Sequence, residues 1–133
     1  MCPVYINRIA SIHAESRNEK PYFSAQEPDY KEMITNANLR RRMSRMIKMG
    51  VACGLECLKD IPSEKVDAII TATGLGCLAD TEKFMNALMD NREQMLNPTA
   101  FIQSTFNTVG AQLALLLKIH AYNVTYVHRG FKF

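Results

Sequence analysis

The sequence predicts a layered α/β domain in which helices flank a mostly parallel sheet. Its 133 residues are enough for one domain with a real core, and they contain no repeat, low-complexity tract or linker, so residues 1–133 are expected to form a single domain. β-rich segments alternate with helix-periodic segments in the order strand, long helix, strand, helix, helix, strand. Such alternation favours parallel strands joined by right-handed crossovers.

The first third of the chain predicts one strand followed by a polar excursion. Val4–Ile12 is short, apolar and rich in β-branched residues, which is typical of a strand. His13–Asn38 is polar, contains Pro21 and Pro28, and shows no clear period. A structureless loop of that length is unusual in a compact domain, so part of it is expected to pack against the core.

The clearest helix is predicted from Leu39 to Leu58. Apolar and small residues recur there every three or four positions and form one stripe. Gly50 and Gly54 lie one turn apart on that stripe. Because each glycine costs about 1 kcal/mol relative to alanine in a helix, we expect another element to approach closely at this point.

A buried strand and a second helix follow. Val66–Thr73 is β-rich and almost uncharged, as in a strand buried on both faces. Gly74–Gly76 forms a turn, after which Asp80 or Thr81 is expected to cap a helix that runs to about Asp90.

The last third predicts a loop, a buried helix and a final strand. Asn97–Thr99 opens the loop. Asn107 or Thr108 is expected to cap a helix over Val109–Ile119, which is apolar on nearly all sides and is therefore predicted to be buried. Tyr122–His128 is β-branched and aromatic, which indicates a strand.

The composition narrows the class of protein. The longest apolar run, Leu113–Leu117, is too short to span a bilayer, and the N-terminus lacks a secretory pattern. The net charge is +3, which is compatible with an acidic partner without indicating one. Two of the four cysteines share one predicted helix, so a disulfide framework is not expected. We interpret the chain as a cytoplasmic protein with reduced thiols.

Several local patterns suggest chemistry, and each has a structural alternative. Gly74, Gly76 and Ala79 match G-x-G-x-x-A between a strand and a helix, as in dinucleotide-binding turns, but no strand with an acidic residue follows at the required distance. Close packing of a tight turn is therefore the favoured interpretation. Cys53 and Cys57 share a helix face and could supply two metal ligands. No third ligand is suitably spaced, so no metal or other cofactor is predicted.

The basic run on the long helix indicates a partner surface or a solvated face. It comprises Arg40, Arg41, Arg42, Arg45 and Lys48. No aromatic residues interleave with it to form a stacking platform, so nucleic acid is not expected. None of the three histidines lies in a triad or in metal-ligand spacing. His128 ends a strand, where α/β proteins place ligands.

Three segments together resemble the β-ketoacyl synthases. Leu39–Leu58, which opens with Leu-Arg-Arg-Arg-Met-Ser-Arg-Met, resembles their first long helix. Asp67–Glu82 resembles their strand, Thr-Gly-Leu-Gly turn and following helix. Asn97–Ala114 resembles their Ser-Pro-Thr-x-Phe stretch and the helix that opens with Asn. The similarity is closest to the divergent synthase-like N-terminal domains of aryl-polyene and related pigment pathways, and it covers about residues 39–128.

The resemblance implies a thiolase-like half-domain and assigns candidate sites. It implies a substrate pocket or dimer seam formed by Phe101, Gln103, Phe106, Asn107 and His128. It also implies a docking face for an acyl carrier protein at Arg41, Arg42 and Arg45. In this family the last strand pairs with its copy in a second subunit, so a homodimer or heterodimer through Tyr122–His128 is expected.

The sequence departs from the family at the nucleophile. In the family the last strand leads to a cysteine at a helix N-terminus, where the thiolate is stabilised. Here His128–Phe133 contains no cysteine, and the family's two catalytic histidines belong to a second half. No catalytic residue is therefore assigned. The leading hypothesis is a non-catalytic or incomplete synthase subunit of fatty-acid or polyketide assembly, comparable to a chain-length factor. The alternatives are an N-terminal fragment of an active condensing acyltransferase and an α/β nucleotide-binding module.

Overall fold

The computed structural model describes residues 3–13 and 25–128, where helices pack on a two-stranded parallel sheet. The strands are β1 (Ala68–Thr73) and β2 (Tyr122–Val127). The helices are α1 (Tyr30–Met33), α2 (Ala37–Arg42), α3 (Arg45–Cys57), α4 (Leu78–Asp90), α5 (Pro98–Ser104) and α6 (Thr108–Leu117), with a 3-10 turn at Ser63–Lys65. The predicted alternation is thus confirmed from α3 to β2.

The two strands run parallel, as the sequence predicted. Their register pairs Ala68 with Tyr122 at one end and Thr73 with Val127 at the other. The amide N–H of His128 donates to the carbonyl oxygen of Thr73 at 3.1 Å and extends the ladder by one bond. The chain between the strands passes through α4, α5 and α6, which form the crossover that parallel pairing requires.

The core lies between α3, α6 and one face of the sheet. Ile34, Ile47 and Val51 are its largest fully buried side chains. A Cβ atom on Gly50 would lie 2.8 Å from Cγ1 of Val109 on α6. The two helices approach closely along the glycine stripe, which confirms the predicted contact.

The predicted single helix over Leu39–Leu58 is wrong, because the chain breaks at Met43 and Ser44. Both residues have extended ψ values, 131° and 171°, and Ser44 is the N-cap of α3. The Ser44 side chain makes no capping hydrogen bond, so local capping does not explain the break. The break also turns the Met43 side chain, which is 5% exposed, into the core.

The predicted strand at Val4–Ile12 is also wrong, because no strand occurs in residues 3–13. The segment is anchored instead at the end of α3, where Nη1 of Arg8 donates to the carbonyl oxygens of Glu56, at 3.2 Å, and Lys59, at 2.7 Å. A cation is favourable there because the last helical carbonyls lack partners.

The predicted polar excursion is partly helical. Asp29 caps α1, and Asn36 caps α2 by accepting from the amide N–H groups of Asn38 and Leu39. The rest of the excursion, residues 14–24, lies outside the described residues.

Burial in the sheet and in α6 is one-sided, which corrects two further predictions. On β1, Ile69 is 8% exposed whereas Ile70 is 65% exposed. On α6, Leu115 is 71% exposed. The reason is that, within the described ranges, one layer of helices covers one face of the sheet.

Two helix starts differ from prediction, and the predicted N-cap of α6 at Asn107 is confirmed. Helix α4 begins earlier, with Cys77 rather than Asp80 or Thr81 at its N-cap. Asn97 caps helix α5, which was predicted as loop, and its Oδ1 accepts from the amide N–H of Thr99 at 2.9 Å. Asn107 occupies the N-cap of α6 without a side-chain hydrogen bond.

No single helix in the described ranges has both the length and the apolar character needed to cross a membrane. Helices α5 and α6 satisfy that test only when taken together, and the angle between them is 109°.

Candidate functional site

The turn after β1 is shaped by a close contact between Gly76 and Phe106. Gly76 has φ +62°, and a Cβ atom on it would lie 2.2 Å from Cδ1 of Phe106. Its amide N–H donates to Oγ1 of Thr73 at 2.8 Å. Backbone conformation and packing therefore account for this glycine. A bound phosphate is not needed to explain the glycine in this turn, so the structure does not support the dinucleotide-binding interpretation.

An apolar groove lies at the carboxyl ends of the strands. One cavity of about 260 Å³ is enclosed by α3, the two strands, the turn and α6, and it includes Thr71, Phe106 and Val109. A second cavity of about 390 Å³ continues from it along the starts of α3 and α4. Both cavities share Met46, Gly76 and Cys77. We call this continuous space the strand-end groove.

The three threonine hydroxyl groups in this groove are engaged within the chain, whereas Oγ of Ser44, which lines the second cavity, is buried and has no hydrogen-bond partner. Oγ1 of Thr71 and Oγ1 of Thr125 are 2.5 Å apart, and Oγ1 of Thr73 accepts from the turn. The other walls are mainly apolar side chains and glycine backbone, and two charged residues, Arg45 and Asp80, line the second cavity. Such a surface suits an apolar chain better than a polar ligand.

Cys77 lies in the groove and at the start of α4, yet its surroundings do not activate it. Its side chain is buried, and burial followed by the nearby Asp80 carboxylate raises the pKa of its thiol. A nucleophilic cysteine requires the thiolate. The surroundings of Cys77 therefore favour the protonated thiol over the thiolate.

The other described cysteines, Cys53 and Cys57, are also free thiols. Burial raises the pKa of Cys53, and the neighbouring Cys57 raises it further. Residues 3–13 and 25–128 contain no group of three or more His, Cys, Asp or Glu side chains that could hold a metal ion. The structure supplies no third ligand for the two-cysteine hypothesis.

The predicted pocket residues do not converge on one site. Phe106 lines the strand-end groove. Phe101 packs instead against Phe84, with ring centroids 5.6 Å apart, and Gln103 lines a separate cavity. Asn107 and His128 are exposed.

The predicted docking arginines differ in their surroundings. Arg41 and Arg42 are exposed on α2, and neither forms an ion pair within the part of the chain that the structure describes. Arg45, on the other side of the helix break, donates from Nε to Oε1 of Glu27 at 2.5 Å. Arg45 is therefore partly neutralised, and Arg41 and Arg42 carry more of the available positive charge.

The sequence did not predict the ion pair between Arg45 and Glu27. The hydroxyl of Tyr30 donates to Oε2 of Glu27 at 2.7 Å. This hydrogen bond, followed by that from Arg45, lowers the pKa of the Glu27 carboxyl. Glu27 and Arg45 are 18 positions apart, so no local pattern could have revealed the contact.

The predicted interface strand, Tyr122–His128, is open along one edge. β2 pairs with β1 on one side only, and residues 25–128 supply no second neighbour. Tyr122 is 64% exposed and Tyr126 is 58% exposed. An edge with these properties is available for pairing with another chain.

Comparison with known proteins identifies the family to which the chain belongs. Residues 13–126 match the family described as β-ketoacyl synthase, N-terminal domain. The fold is similar to a chain in the structure of a ketosynthase (ApeO) in complex with its chain length factor (ApeC) from Xenorhabdus doucetiae, with a TM-score of 0.60 and 24% sequence identity. The match covers 85% of this chain and 43% of that one. No curated protein is significantly similar. The α/β fold is thus of the thiolase-like ketosynthase type, and the chain belongs to the β-ketoacyl synthase N-terminal domain family.

Proposed function

We propose that the chain acts as a non-catalytic, synthase-like subunit in fatty-acid or polyketide assembly of the aryl-polyene type. One observation carries the proposal: the strand-end groove is present, while the cysteine in it has a raised thiol pKa. A condensing enzyme needs a thiolate to accept the acyl group. A subunit that only measures or shields the growing chain needs the groove alone.

The groove is proposed to hold an acyl chain. Its apolar walls include Phe106, which the resemblance assigns to the substrate pocket, and Val109 in the first turn of α6. Burial of each methylene group contributes about 0.8 kcal/mol. A chain of several carbons would therefore bind without a charged contact.

The partner is proposed to be an active synthase-like subunit. The chain of similar fold comes from a complex between a ketosynthase and its chain length factor. The open edge of β2, with Tyr122 and Tyr126 exposed, supports pairing through this strand. Pairing would cover apolar surface that otherwise favours aggregation.

Docking of an acyl carrier protein is proposed at Arg41 and Arg42. Both are exposed and lie next to each other on α2. Positive surface charge accelerates the encounter with an acidic carrier and specifies its orientation. Arg45 is expected to contribute less because Glu27 pairs with it.

The experiment is native mass spectrometry of the complex purified from the host through a tag on this chain. The proposal predicts a 15.1 kDa chain in a one-to-one complex with a synthase-like subunit that contains the nucleophilic cysteine. A chain that remains monomeric at high concentration would contradict it.

The second candidate is the N-terminal part of an active condensing acyltransferase. It is favoured by one observation, namely that the chain spans 43% of the length of the ketosynthase-complex chain it matches. The native mass spectrum described above distinguishes the two candidate functions. A much larger mass for the tagged chain, with a nucleophilic cysteine downstream, supports the second candidate.

A further inference from the structure

A separate cavity lies between the α2–α3 break on one side and helices α5 and α6 on the other. Its volume is about 210 Å³, and it is less open to solvent than either cavity of the strand-end groove. It shares no lining residue with the strand-end groove. It is therefore a separate space from the proposed acyl site.

The inner wall of this cavity contains a buried polar atom without a partner. Oε1 of Gln112 on α6 is buried and accepts no hydrogen bond. Burial of an unpaired group costs about 1–3 kcal/mol. The nearby hydroxyl of Thr108 does not supply the bond, because it donates to the carbonyl oxygen of Ile102.

The remaining lining combines apolar side chains with one cation. Met43 and Ile47 are core residues, 5% and 1% exposed, and they form part of the apolar wall. Arg42 also lines the cavity but is exposed, so it forms the solvent side. No Asp or Glu is among the lining residues, so the site has a positive end and a neutral polar end.

We propose that this cavity binds a small carboxylic acid that carries a hydroxyl group. The carboxylate would pair with Arg42, the hydroxyl would bond to the side-chain amide of Gln112, and the carbon body would pack on Met43 and Ile47. A hydroxyl fits better than an amine because it can donate or accept, and thus satisfies either orientation of a glutamine amide. A benzene-sized molecule fills a cavity of about 150 Å³, so 210 Å³ accommodates one ring or a short chain with its two polar groups.

The test uses three compounds of one chain length on the full chain: 6-hydroxyhexanoate, hexanoate and 1,6-hexanediol. Binding is followed by the backbone NMR signals of Ile47, Gln103 and Gln112. We expect these signals to shift with 6-hydroxyhexanoate, and its Kd to be at least about threefold lower than that of either other compound. Equal binding of all three compounds, or no shift up to about 50 mM, would overturn the proposal.

Two variants test which residue binds the hydroxyl group and which binds the carboxylate. Gln112→Leu removes the unpaired amide and is expected to abolish the preference for 6-hydroxyhexanoate over hexanoate. Arg42→Gln, a surface change that spares the core, is expected to abolish the preference for 6-hydroxyhexanoate over the diol. Arg41→Gln is the matched control, because Arg41 is also exposed but does not line the cavity. A preference that survives both Gln112→Leu and Arg42→Gln would place binding elsewhere and overturn the assignment.

Discussion

Gly54 on α3 faces Leu113 on α6 so closely that a Cβ atom on the glycine would lie 2.5 Å from Cδ1 of the leucine. One turn earlier, Gly50 faces Val109 in the same way, and those two residues line the strand-end groove. The contact between two helices thus also positions one wall of the groove. Packing of the core and formation of the candidate site depend on the same glycine stripe.

Replacing Gly54 by alanine should destabilise the protein. The change gains about 1 kcal/mol of helix propensity, but the added methyl group overlaps Leu113, which is 6% exposed and has little room to move. Overpacking of this kind costs about 1–3 kcal/mol, so we expect a lower midpoint of urea unfolding.

The control for this prediction is the double variant Gly54→Ala with Leu113→Val, compared with Leu113→Val alone. Trimming the leucine removes the overlap, so Gly54→Ala should be neutral or stabilising in that background. An equal loss of stability in both backgrounds would show that the Gly54–Leu113 contact is not the cause.

Gly76 and Gly74 form a matched pair in the turn. Gly76→Ala places a side chain at φ +62° and against the Phe106 ring, so it should cost more than about 2 kcal/mol. Gly74→Ala should cost no more than about 1 kcal/mol, because its Cβ would meet only the carbonyl oxygen of His128 at 3.8 Å. Urea unfolding measures the free energy of unfolding of each variant. Equal losses of stability in the two variants would contradict the role assigned to Phe106.

Local sequence patterns predicted the parallel strands and helices α4 and α6, but neither helix α5 nor the break between α2 and α3. The apolar stripe continues without interruption through Met43 and Ser44, so the periodicity alone indicates one helix. The break is decided by burial of Met43 in the core, which is a tertiary effect. The same holds for Val4–Ile12, whose β-rich composition is overridden by the anchoring of Arg8 on α3.

The candidate site was predictable only in part. The Gly74–Gly76 turn and the start of α6 are visible as motifs, and Phe106 lies just before the start of α6 in the chain. The contact between Phe106 and Gly76 could not be predicted, because the two residues are far apart in the chain and no periodic pattern links them. The distribution of Phe101, Gln103 and Phe106 over different surroundings depends on how α5 packs against α4, which the sequence does not specify.

The contribution of Glu27 to stability should decline in acid. Hydrogen bonds from Tyr30 and Arg45 hold the pKa of the Glu27 carboxyl below its ordinary value of 4.5. A carboxyl group whose pKa is lower in the folded state stabilises it above the unfolded pKa, and that stabilisation is lost as the pH falls through the folded pKa.

The measurement is the difference in urea midpoint between the wild type and Glu27→Gln as a function of pH. We expect a constant difference above about pH 5 and a shrinking one below 4.5. Asp29→Asn serves as a comparison for a nearby acid that caps α1 instead. A difference for Glu27→Gln that is the same at pH 7 and in strong acid would contradict the assigned ion pair.

The central claim, that this chain contributes a groove but no nucleophile, is tested most directly by thiol trapping at pH 7. The Cys2→Ser variant retains three cysteines, Cys53, Cys57 and Cys77. The folded variant is incubated with chloroacetyl-pantetheine, and its intact mass is measured over time. The account predicts labelling no faster than that of free cysteine, because burial raises the thiol pKa of Cys53 and Cys77, and labelling of all three thiols after unfolding. Rapid, stoichiometric labelling of the native chain at Cys77 would contradict it and would identify an active condensing site.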